Sequence, residues 1–119
     1  IRCYGNLEIG NNFFLNRFSR IISHENISIG NDVTIAQFVS ILDHDHEYFI
    51  DNNNLKLNGY KTKAITIGSN VWIADKVTIL KGVVIGDNVV IGANSLVNKD
   101  IPSGTIAVGN PCKVIKSLM

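Results

Sequence analysis

The stretch IGSNVWIADKVTILKGVVIGDNVVIGANSLV, residues 67–97, sets an aliphatic side chain at 67, 73, 79, 85, 91 and 97, always six apart. That interval fits neither the 3.6-residue helical period nor a lone strand of this length. Working outward, the same register takes in Ile9, Leu15, Ile21, then Ile29, Ile35, Ile41, then Ile67, Ile73, Ile79, then Ile85, Ile91, Val97. Ile, Leu and Val make up about a third of the chain, so twelve aliphatic residues in twelve register positions would arise by chance on the order of once in a million.

A stacked coil explains the interval. Each hexad supplies a short strand and a corner, and three hexads close a triangular turn whose backbone pairs in parallel with the next. The first residue of each hexad then points to the axis. The second is often small (Gly10, Gly30, Ala36, Gly68, Ala74, Gly86, Gly92) and is expected to serve a tight corner, where Gly accepts positive φ. The fifth is often Val or Ser. Asn31-Asp32, Ser69-Asn70 and Asp87-Asn88 suit the same corners. Ile9 to Ile29 carries two extra residues near Ser23–Asn26, and Ile41 to Ile67 about twenty. The segment near residues 43–64, polar and Asn-rich, is therefore expected to leave the coil as a long loop of functional or interface character. The prediction is an all-β parallel β-helix of about five triangular coils, a single domain over residues 1–119. Phe13, Phe38, Val84 and Val90 are expected on its outer faces, packing against sister chains in a symmetric trimer.

The totals narrow the function. A net charge of +1 with both signs interleaved gives no bulk attraction for nucleic acid or membrane. Richness in Ile and Val favours strands. Cys3 and Cys112 read as reduced thiols and a cytoplasmic setting. No apolar run approaches a membrane span and no signal peptide is visible. The chain begins at Ile1 rather than Met, which leaves room for a preceding segment.

The hexads, with the tail KDIPSGTIAVGNPCKVI (Lys99–Ile115), resemble the hexapeptide-repeat acyltransferases, and among them the maltose, galactoside and capsular polysaccharide O-acetyltransferase branch. The resemblance implies a left-handed coil, a homotrimer, and acetyl-CoA held in clefts between subunits. It also implies transfer of the acetyl group to a hydroxyl, or an amino group, of a sugar or polysaccharide precursor, with no metal required.

Such transfer needs a base, because a sugar hydroxyl is barely ionised at neutral pH, and a neutral imidazole suits the task. His44 and His46 sit where the repeat is interrupted, in ILDHDHE. The resemblance, aligned without gaps from Ile29, puts the family's catalytic histidine on His46; His44 is the alternative base or an orienting neighbour. Asn16 matches an acceptor-site asparagine. His24 stands where sugar-acetylating relatives carry an acceptor-binding Asp, and Arg17 with Arg20 could face an anionic or differently shaped sugar. For acetyl-CoA the resemblance points to Trp72, Ala74, Asp75, Ala93, Asn98, Lys99, Lys113 and Lys116, the lysines meeting phosphate as point charges. Two other readings stay open. The less favoured is a β-helix carbonic anhydrase with three histidines on zinc: His24 and His44 stand one coil apart, but HDH lacks that family's histidine spacing and the tail argues against it; the other is a non-catalytic trimeric scaffold.

Overall fold

Residues 1–119 are described in full by a computed structural model. Every element is a strand, and no helix long and apolar enough to cross a membrane is present. The molecule is a rod of 53 × 28 × 23 Å.

The strands stack on three faces. Face one holds Arg2–Cys3, Arg20–Ser23, Ser40–Leu42, Thr78–Ile79 and Leu96–Val97. Face two holds Asn6–Ile9, Asn26–Ile29, Ile65–Ile67 and Val84–Ile85. Face three holds Phe14–Leu15, Val33–Ile35, Val71–Ile73, Val89–Ile91 and Thr105–Val108. All these pairings are parallel. The terminal strand Lys113–Ser117 folds back antiparallel on Thr105–Val108, which covers an otherwise open edge of face three.

The six-residue register is the pairing register. Ile9, Ile29, Ile67 and Ile85 stack on face two, Leu15, Ile35, Ile73 and Ile91 on face three, and Ile21, Ile41, Ile79 and Val97 on face one. From Ile21 onward these side chains are at most 4% exposed, and the fifth-position valines Val33, Val39, Val71, Val77, Val83 and Val89 fill the space between them. Each such burial contributes roughly 1.5–3 kcal/mol before entropy is counted. The stack runs on past Val97, through Ile85 to Ile101 and Ile91 to Ala107.

Three expectations need correction. The second-position glycines do not sit at positive φ. They are small because coils touch there: a Cβ on Gly68 would lie 2.8 Å from the carbonyl oxygen of Gly86, and one on Gly30 2.8 Å from that of Gly68. The left-handed turn falls at the fourth position instead, at Asn12, Asp32, Asn70 and Asn88 on one corner and Phe18, Phe38, Lys76 and Asn94 on another. Asn and Asp tolerate that region because their short polar groups bond locally. Second, Phe13 turns inward against the core, and Val90 is half-buried; Phe38 and Val84 are exposed as expected. Third, the excursion is ordered. His44–Asp51 and Asn54–Thr62 pair as an antiparallel hairpin around Asn52-Asn53, both at positive φ. That is the signature of a tight turn whose twist matches its strands.

Candidate active site

The corner between faces one and two gathers the histidines. Tyr4, His24 and His44 occupy equivalent places on three successive turns, so their rings stack up the rod: Tyr4 to His24 at 4.9 Å and His24 to His44 at 3.9 Å between centroids. Tyr60, from the returning hairpin strand, closes on this ladder 4.6 Å from His24 and 5.5 Å from His44. Arg2, Tyr4, Ile22, His24, His44 and Tyr60 line a cavity of about 430 Å³.

Asp43 anchors the corner from within. Its side chain is fully buried and its oxygens accept the backbone N–H groups of His24, Glu25 and Asn26 at 2.8, 2.8 and 2.9 Å. Burial pushes this carboxyl up, but those hydrogen bonds together outweigh it and hold the group below its ordinary 3.8. The backbone thus spends Asp43 on fixing the two extra residues of the previous turn. His44 Nδ1 lies 3.5 Å from Asp43 Oδ1, too long for a full hydrogen bond, and this buried nitrogen has no other partner.

His46 is one step out along the hairpin. It is exposed, pairs across the strands with Tyr60, and its ring lies 5.0 Å from the tyrosine ring. Tyr60 therefore stands between the ladder and His46, touching both. Two contacts hold the hairpin's base to the coil: Lys81 Nζ to Asp45 Oδ2 at 2.8 Å, and Thr62 Oγ1 donating to Glu25 Oε1 at 2.9 Å. Alternation puts Tyr48, Ile50, Leu55 and Leu57 on the same side as His44, His46 and Tyr60. All four are more than 60% exposed, while Asp45, Glu47, Lys56 and Lys61 take the other side.

The remaining candidates divide between the two corners that flank face one and face three itself. Asn16 and Arg17, Ala74 and Asp75, and Ala93 follow face-three strands, at the corner between faces three and one. Asn98 and Lys99 follow Leu96–Val97, on the corner of the histidines. Lys113 lies opposite Val108 and Lys116 opposite Ile106, at the end of face three. Trp72 projects from face three, 54% exposed, into a separate groove of about 360 Å³ with Asp32, Thr34, Asn70, Asn88, Val90 and Leu118. One chain therefore brings His24, His44, His46, Asn98 and Lys99 to one corner but leaves Ala74, Asp75 and Ala93 across face one and Trp72, Lys113 and Lys116 on face three.

Two candidates have structural work of their own. Asn16 Oδ1 accepts the N–H of Arg17 at 2.7 Å, and Asp75 Oδ1 accepts the N–H of Gln37 at 2.9 Å. The latter belongs to a device that repeats on the corner between faces two and three, where Asn31, Ser69, Asp87 and Ser103 each accept a backbone N–H from the preceding turn.

Sequence reasoning missed Arg2, Tyr4, Asp43 and Tyr60. Tyr4 was findable, since it precedes His24 by the same 20 residues that separate His24 from His44. Tyr60 was not, because its place depends on the hairpin's pairing.

Residues 64–99 match the family model described as "Bacterial transferase hexapeptide (six repeats)". The galactoside O-acetyltransferase of Escherichia coli (strain K12) is 44% identical over 117 residues, covering 97% of this chain and 56% of that protein. The crystal structure of a maltose O-acetyltransferase from Clostridium difficile 630 superposes with a TM-score of 0.79 at 41% identity, covering 99% of this chain and 63% of that one. A galactoside acetyltransferase in complex with coenzyme A gives a TM-score of 0.83 at 39% identity, covering 95% and 56%. The chain thus spans less than two thirds of the length of these relatives.

Proposed function

Since this chain carries the hexapeptide repeat of the bacterial transferases and folds as sugar acetyltransferases do, we propose that it moves the acetyl group of acetyl-CoA to a hydroxyl of a sugar or polysaccharide precursor. The observation that carries this reading is the hairpin root: the repeat breaks where an imidazole pair stands beside a cavity of sugar size, walled by aromatic rings. Aromatic side chains and hydrogen-bonding edges are what a pyranose offers contacts to.

His46 is the general base. It takes the proton of the acceptor hydroxyl as that oxygen attacks the thioester carbonyl. The C–S bond then breaks, and the departing sulfur recovers the proton from the imidazolium as CoA-SH, leaving an acetyl ester. His44, the hairpin's first residue, has Nδ1 turned to Asp43 and positions the acceptor. An amine acceptor would be served by the same base.

The partition of residues across face one supports a homotrimer. In that arrangement the corner of Asn16, Ala74, Asp75 and Ala93 on one copy faces the histidine corner of the next, and acetyl-CoA lies in the seam. The exposed apolar side of the hairpin supports the same assembly. Two free thiols, Cys3 exposed and Cys112 buried, and dependence on acetyl-CoA support action in the cytoplasm.

A CoA-release assay on wild-type and single variants tests the assignment. His46→Ala is expected to lose about 10²–10⁴ in turnover, the usual share of a general base, with acetyl-CoA affinity by calorimetry unchanged. His44→Ala is expected to raise KM for the acceptor more than it lowers turnover. An active His46→Ala protein, or one in which only His44→Ala is dead, contradicts it.

A further inference from the structure

The chemistry of the cavity lining narrows the acceptor, on the footing that the chain is an acetyltransferase. Of the six residues around the space, Arg2 is a permanent cation and His24 and His44 are imidazoles whose ring nitrogens can donate. Tyr4 and Tyr60 supply hydroxyls and ring surface, and Ile22 one apolar contact. No carboxylate lines it. Of the acids adjoining its histidines in sequence, Asp43 is buried and faces the backbone N–H groups of His24, Glu25 and Asn26, and Glu25 is exposed and accepts a hydrogen bond from Thr62 through one oxygen. A neutral sugar site normally mixes donors with carboxylate acceptors, because each hydroxyl both gives and takes a hydrogen bond. This cavity is donor-rich with a fixed positive charge at one end.

We infer that Arg2, His24 and Tyr4 form a subsite for the anionic substituent of an acidic saccharide, and that these residues set acceptor specificity. Arg2 meets the anion with its planar fork, which matches carboxylate and phosphate geometry in pairs of hydrogen bonds. His24 adds a donor one turn up the rod. Tyr60, in ring contact with both His24 and His46, spans the distance between the anion and the base. A sugar ring anchored by its charge at Arg2 therefore reaches toward His46 with a hydroxyl. Carboxylate and phosphate substituents share this chemistry, and their binding separates them.

Calorimetric titration of the wild-type protein with digalacturonate, with galactose 6-phosphate and with neutral galactobiose tests the inference without requiring turnover. The acidic ligands are expected to bind at least about tenfold more tightly than the neutral one, and Arg2→Gln is expected to remove that preference. Preference for digalacturonate over the phosphate identifies a carboxylate sugar; the reverse identifies a phosphorylated one. Equal binding of all three, no binding of any, or an Arg2→Gln protein that keeps the preference overturns the subsite. A parallel titration with acetyl-CoA keeps the two readings apart: acetyl-CoA binding with no acidic preference leaves acetyl transfer standing and removes only the subsite. No acetyl-CoA binding removes acetyl transfer, while the saccharide titrations still decide the subsite.

Discussion

Asp43 shows how much one side chain can hold. Its two oxygens accept the backbone N–H groups of His24, Glu25 and Asn26 from the previous turn. Asp43→Asn keeps the shape but turns amide hydrogens toward some of those donors, so it should cost about 2–4 kcal/mol, read as a lower urea midpoint with unchanged slope. The pH dependence has a definite sign. The folded carboxyl titrates below its ordinary 3.8, so its contribution is complete above that value and fades as pH falls through and below it. Acid unfolding of the wild type should therefore begin below about pH 4, and Asp43→Asn should flatten that limb. A variant as stable as wild type at pH 7 contradicts this. Much at this level was legible: periodicity alone identified all twelve axial residues, since burial on three sides selects Ile, Leu or Val and little else. The reason for the small second residue was not legible. Backbone freedom and close approach both select Gly, and only the 2.8 Å that a Cβ at Gly30 or Gly68 would leave to the next turn's carbonyl oxygen decides between them.

Among the elements, the hairpin departs most from what the sequence suggests. Its polar residues (Asp45, Glu47, Asn52, Asn53, Asn54, Lys56, Lys61) mask an alternating apolar row, and a bulge between His46 and Tyr48 breaks the period-two pattern on the returning strand. A hairpin resting on nothing would gain little from Tyr48, Ile50, Leu55 and Leu57, all strongly exposed. Replacing Ile50 and Leu57 together by Lys should leave thermal unfolding of the coil within about 0.5 kcal/mol, as for other surface changes. Under the proposed homotrimer it should still shift sedimentation from trimer toward monomer and lower activity in step. A variant that remains trimeric would show that this surface does not hold copies together. Lys81 is half-buried and Asp45 exposed, and their ion pair contributes little to stability while tying the hairpin's base to the coil.

In the whole molecule, the rod delivers chemistry to its corners. Faces carry the parallel ladders, the interior is filled with Ile and Val, and side chains free to act lie where the chain turns. That arrangement puts the histidines on one edge of face one and Asn16, Ala74, Asp75 and Ala93 on the other. The six-residue register already implies this partition, since Asn16, Ala74 and Ala93 follow the second of each three register positions (Leu15, Ile73, Ile91) and His24, His44 and Asn98 the third (Ile21, Ile41, Val97); the place of Tyr60 is what the register leaves out. The proposed homotrimer makes the site a shared one, each copy giving a different edge. Mixing two inactive proteins under exchange conditions probes this: one copy carries His46→Ala, the other Ala74→Arg and Ala93→Arg to block the opposite corner. If each seam draws one edge from each neighbour, random threefold reassembly should restore about a quarter of wild-type CoA release. Recovery near that level is the predicted result. No recovery from mixed trimers, or full activity in a wild-type monomer, contradicts a shared site.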